Sequence, residues 1–168
     1  MAAMGECAAE EIQAWVALSR AHDLLASRLD SALRAEVGLS LAEHDVLVEL
    51  NTAGGMLQMG HVARTLVISK SGVTRLVGKL EQDGLMERVT FPQDRRATFA
   101  RLTAKGLAAL EVSQKLFSRV LAESFSANLS SADVRNLSHA LGKLLDAHGW
   151  SPAAKCVGML QEQTAVTR

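Results

Sequence analysis

Between Ser69 and Arg96 the chain gathers residue types that can hold a phosphate or read a base edge. Ser69, Ser71 and Thr74 bring hydroxyls, and Lys70, Arg75 and Lys79 bring cations. An arginine fork takes guanine O6 and N7 together, while lysines and hydroxyls grip phosphate oxygens. Further on, Asp94-Arg95-Arg96 closes a turn marked by Pro92. There a carboxylate can aim an arginine toward a minor groove, where the negative potential deepens as the groove narrows. Arg64 and His61, just upstream, add two further phosphate candidates. As isolated surface charges these residues would mean little; their spacing gives them meaning.

That spacing predicts a helix opening at Ser69. Val73, Leu76, Val77 and Leu80 fall at i, i+3, i+4 and i+7, one apolar stripe that must face a core. Ser71, Thr74, Arg75, Gly78 and Lys79 share the opposite face, with no carboxylate before Glu81. Ser69 can cap the start and Gly84 can supply the left-handed residue that ends the helix. Two strand-like runs, 85–90 and 97–102, flank a turn at 91–96. A short helix at 61–66, with Val62, Ala63 and Leu66 inward, precedes the turn that enters the Ser69 helix. The order helix, turn, helix and arginine-bearing hairpin is the plan of a winged helix suited to a nucleic-acid duplex.

Charge is distributed in the same sense. The 168-residue chain has 18 Lys and Arg against 18 Asp and Glu, so the total carries no signal. Residues 1–63 hold three Lys or Arg against nine Asp or Glu, residues 64–105 hold nine against four, and residues 106–168 hold six against five. A local basic face is what release of counterions from phosphates requires. Hydrophobic content of 48% and only two prolines predict an ordered, mainly helical protein. The apolar runs are too short for a bilayer span and the first residues lack a basic leader, so a soluble, cytoplasmic protein with no membrane partner is expected. Cys7 and Cys156 stand near opposite ends without metal-ligand spacing, and no metal or cofactor is called for. Neither a nucleophile–base pair nor a glycine-rich phosphate loop appears, which argues against an enzyme.

The remaining elements flank this module. A long helix is expected from Glu6 to Glu36, its stripe running through Ile12, Trp15, Val16, Ser19, His22, Leu25, Ala26, Leu29 and Leu33. That stripe exceeds what one small domain can cover, so part of it should meet a second subunit. Ser40 with Glu43 three residues on forms a capping box for the next helix. Gly54-Gly55 breaks that helix, and a short strand is expected at 56–58. Thr103 caps a helix carrying Leu107, Leu110, Phe117, Val120, Leu121 and Phe125; Ser130 and Asp133 open a last one that closes at His148-Gly149. The division expected is an N-terminal dimerisation helix (1–36), a reading module (37–103), C-terminal dimerisation helices (104–150) and a tail (151–168).

At this point the sequence resembles the MarR family of bacterial transcription regulators. The residues carrying the likeness are Leu41 to Leu47, Ser71 to Glu81, Gly84-Leu85, Asp94-Arg95-Arg96 and Leu102 to Gly106. Together these pieces, at these separations, are specific. The resemblance implies a mainly α, winged helix-turn-helix fold and a homodimer on a pseudo-palindromic DNA operator. It also implies a repressor released by a small ligand or by oxidation. It further implies that Arg96 enters the minor groove with Asp94 orienting it.

The family's effector cavity lies between the first helices and the reading module, which directs attention to Trp15, His22 and His44. His44, as imidazolium, would suit an anionic phenolic or carboxylate compound. The chain departs from the family in having no tyrosine and in placing His44 where an aromatic residue is common. An oxidant-sensing alternative would act through Cys7 or Cys156, although neither has neighbours that would lower a thiol pKa.

Overall fold

A helix of 29 residues, α1 (Ala9–Val37), opens the described chain. Glu11 reaches back to accept from the Ala8 amide at 2.9 Å, and Gly38, at φ 75°, ends the helix by donating to the Arg34 carbonyl. The structure is a computed structural model that describes residues 8–59, 70–91 and 94–149; for Lys70, Ser71, Phe91 and Asp94 to Ala97 it describes the backbone. His61, Arg64, Ser69, the expected helix at 61–66, Cys7, Cys156 and the tail lie outside the described residues.

The capping rules hold along the chain. Ser40 opens α2 (Leu41–Thr52) with the expected box, its hydroxyl accepting from the Glu43 amide while the Glu43 carboxylate accepts from the Ser40 amide. Strand β1 (Met56–Gln58) follows the glycine pair. Helix α3 (Lys70–Gln82) ends at Gly84, whose φ of 70° lets the Leu85 amide turn back onto the Leu80 carbonyl. Thr103 caps α4 (Ala104–Ser124) through its hydroxyl, which accepts from the Gly106 amide at 3.0 Å. Ser130 and Asp133 form the second capping box, at the start of α5 (Ser131–Ala147).

The hairpin differs from expectation in its register. Strands β2 (Met86–Phe91) and β3 (Asp94–Leu102) pair antiparallel, with β1 on the other side of β3 in the order β1-β3-β2. Thr90 stands opposite Thr98, yet Phe91 stands opposite Asp94. Strand pairing therefore reaches Phe91 and Asp94, inside the 91–96 loop read from the sequence. Arg95, Arg96 and Ala97 form a bulged stretch of β3 rather than a loop tip, an irregularity of the kind that redirects side chains.

Two packed groups hold the fold. The larger joins Leu39, Val46, Leu47 and Leu50 to Val73, Val77 and Leu80 of α3, with Met86, Ala100 and Leu110 from the sheet and α4. The smaller joins Leu29 and Leu33 of α1 to Leu116 and Val120 of α4. Burying a leucine or valine side chain contributes about 1.5–3 kcal/mol, so the larger group is what fixes α3 beneath its polar face. Only Leu29 and Leu33 of the α1 stripe are buried; Ile12, Trp15 and Val16 remain 52%, 67% and 50% exposed. Helix α5 buries none of its residues, and Leu137 and Leu144 stand in solvent. Among the described residues no helix is long and apolar enough to cross a membrane.

Candidate nucleic-acid interface

Burial of Val73, Val77 and Leu80 turns the other side of α3 outward. Thr74 and Arg75 are exposed there, and among the described residues Arg75 has no ion-pair partner. The side chains of Lys70, Ser71, Asp94, Arg95 and Arg96 lie outside the described residues.

Lys79 behaves differently from the phosphate contact expected of it. Its ammonium donates to Glu43 Oε1 at 2.5 Å and stands 3.5 Å from Asp83 Oδ2. Burial alone would raise the Glu43 carboxyl, but hydrogen bonds from Lys79 and Ser40 outweigh it and hold the group below the ordinary glutamate value. The Lys79 pKa is raised by the same Glu43 bond. Other cations of the basic segment are also engaged: Arg88 with Glu81 at 3.2 Å, Arg101 with Glu87 at 2.7 Å, and Lys105 on the Asp83 carbonyl at 2.6 Å. Four of the five cations described in residues 64–105 are thus engaged within the chain. Among these described cations, Arg75 is the one with neither an ion pair nor a side-chain hydrogen bond.

The three candidate ligand residues are not brought together. Trp15 and His22 lie on the exposed N-terminal half of α1, His22 beside Asp23 at 3.5 Å. His44 is 3% exposed between α2 and α4, stacked on Phe117 with ring centroids 5.0 Å apart. Its Nδ1 is 2.9 Å from the Ser113 hydroxyl, which donates its one proton to the Leu110 carbonyl at 3.0 Å. The imidazole is therefore the donor to Ser113, as the Nδ1–H tautomer. Burial pushes the His44 pKa down to about 4, so the ring is neutral near pH 7. This corrects the imidazolium reading: a desolvated ring has no positive charge to offer an anion.

A cleft of about 570 Å³ does lie between α2 and α4, lined by Asn51, Leu107, Leu110, Glu111, Gln114, Lys115 and Ser118. The sequence did not mark these residues as a binding site, because the α4 periodicity marks only which face is apolar. That its polar flank meets the end of α2 depends on how two helices cross. On α2, burial with the adjacent Glu49 charge lifts the Asp45 carboxyl to about 6.

A helix packed to present one polar face, followed by an arginine-bearing antiparallel hairpin, defines a winged-helix DNA-binding protein. The sequence model of the MarR family matches residues 37–97, from the end of α1 to the start of β3. The transcriptional regulator MhqR of Bacillus subtilis is 31% identical over 101 residues, which is 60% of this chain and 68% of that protein. Sco3205, a MarR family regulator of Streptomyces coelicolor solved in complex with DNA, superposes with a TM-score of 0.77 at 24% identity, over 91% of this chain and 95% of its own. The organohalide-sensing regulator RdhR, solved with 2,4-dichlorophenol bound, superposes with a TM-score of 0.74 at 20% identity, over 88% of each chain. This chain belongs to the MarR family and is a transcription regulator.

Proposed function

We propose that the protein is a homodimeric repressor that holds a pseudo-palindromic operator until a small ligand releases it. The observation that carries this reading is the outward face of α3, where Thr74 and Arg75 stand exposed above buried Val73 and Val77 while neighbouring cations are paired. Arg75 reads a base edge, with Thr74 and Ser71 beside it and Ser69 and Lys70 on flanking phosphates; Arg64 and His61 hold the backbone further upstream. Asp94, Arg95 and Arg96 serve the adjacent minor groove, where a bulged strand suits arginines that must leave the plane of the sheet.

Dimerisation uses the end helices, 1–36 and 104–150, around a reading module at 37–103. Support comes from the apolar side chains that α1 and α5 leave in water, Ile12, Trp15, Val16, Leu24, Leu137 and Leu144. A groove of about 550 Å³ between them, lined by Leu24, Leu25, Phe125, Leu129 and Leu137, gives a second copy a place to insert. The ligand would be an amphipathic weak acid in the α2–α4 cleft, with Lys115 facing its anion and Leu107 and Leu110 its apolar part. RdhR, whose bound dichlorophenol is of this chemical kind, supports that choice. A protein of this activity works in the cytoplasm.

The test is a gel-shift series with a duplex recovered by selection from random sequence. The reading requires sequence-selective binding that Arg75→Ala weakens and that a halogenated phenol or aromatic carboxylate reverses. Binding with no preference among duplexes would refute it.

A further inference from the structure

Glu43 is 2% exposed, yet it is ionised and fully engaged. Its Oε2 accepts from the Ser40 amide at 2.6 Å and the Ser40 hydroxyl at 2.8 Å; its Oε1 accepts from Lys79. The capping box that starts α2 is therefore also the anchor of a side chain near the end of α3. One residue beyond Ser40, the Leu41 amide donates to Asp30 of α1 at 2.8 Å, and Asp30 is held in turn by Arg34 at 2.6 Å. A line of hydrogen bonds thus runs from α3 through the α2 N-terminus to α1.

We infer that Lys79 is a positioning residue for DNA binding: it acts through Glu43, fixing the tilt of α3 on α2, and not by touching a phosphate. This rests on the proposal that α3 lies in the major groove. Lys79 follows Arg75 by four residues, so both occupy one side of α3 a turn apart. Tethering the later residue fixes the direction in which the earlier one points. The ammonium already faces two carboxylates, Glu43 and Asp83, so reaching a phosphate would leave a buried anion behind. Contacts of the α2 and α3 apolar faces set the spacing of the two helices, but they slide easily; a charge-assisted hydrogen bond fixes rotation as well.

The test uses the full chain and the selected duplex, with affinities measured across a salt series for wild type, Lys79→Gln, Lys79→Arg, Glu43→Gln and the Lys79→Gln/Glu43→Gln pair. Each Gln variant should weaken specific binding about tenfold. The double variant should lose no more than either alone, and Lys79→Arg should keep most of the affinity. The slope of log affinity against log salt should stay at its wild-type value in Lys79→Gln. A fall of about 0.9 in that slope would assign Lys79 to a phosphate and overturn the inference. Unchanged affinity or additive losses would overturn it equally. Should Lys79→Gln fail to fold by circular dichroism, Glu43→Gln carries the test, because its amide oxygen still serves Ser40. A tenfold loss at the wild-type slope supports the inference, and no loss overturns it. Failure of the underlying reading of α3 would show in the wild type, as absence of sequence preference, and would overturn both.

Discussion

The imidazole of His44 donates to the Ser113 hydroxyl at 2.9 Å and lies nearly parallel to the Phe117 ring, at 18°. Sixty-nine residues apart in sequence, His44 and Ser113 join α2 of the reading module to α4, which also packs on α1. One polar bond inside an apolar contact fixes the register of the two helices, since a slide would strand both groups.

Because the folded pKa of His44 is about 4 against an ordinary 6.5, the unfolded chain binds more protons between those values. Stability from this residue is therefore complete above pH 6.5 and is lost as pH falls toward 4, by an amount up to about 3 kcal/mol. Urea unfolding at pH 5 and 7.5 should show the difference, and His44→Phe should flatten it.

Asp45 works in the opposite sense over an overlapping range. Its folded pKa of about 6 lies above the ordinary 3.8, so the folded chain holds the extra proton and stability falls as pH rises between them. Asp45→Asn should stabilise the protein at pH 7.5 by about 1–2 kcal/mol and have no effect below pH 4. Paired denaturation curves of the two variants separate this contribution from that of His44.

Gly106 sits where α4 meets the start of β2. A Cβ there would collide with the Leu85 carbonyl oxygen and come within 2.9 Å of Leu102 Cδ1. Backbone cannot step aside as a side chain does, so Gly106→Ala should destabilise by about 1–3 kcal/mol or more. Thermal unfolding of the variant gives the value; an unchanged midpoint would contradict the close approach.

Arg75→Ala should relax base preference at one position of each half-site, at about 1–3 kcal/mol. Arg96→Ala should weaken binding to selected duplexes while leaving helicity and oligomeric state as they are. Gel shifts on single-base variants of the duplex distinguish the two behaviours.

What the sequence made legible was local. Ser40 with Glu43, Thr103, Ser130 with Asp133, and Gly84 mark helix ends through contacts within a few residues, and the structure places them so. The stripe Val73, Val77 and Leu80 follows from helical period alone, and these residues are in the core. Illegible were relations that depend on how elements cross. Lys79 looked like a phosphate contact because its partner Glu43 is 36 positions away. His44 looked chargeable because nothing nearby in sequence announces Phe117 above it. The pairing of Phe91 with Asp94 was hidden because a bulge obeys no alternation.

The most direct test is a hydroxyl-radical footprint of the full chain on a selected duplex, with the mass of the complex measured alongside. Two protected stretches related by a dyad, their centres about one helical turn or ~10 base pairs apart, with two protein copies per duplex, are predicted. One protected stretch under a single copy, or uniform protection of any duplex, would contradict the account.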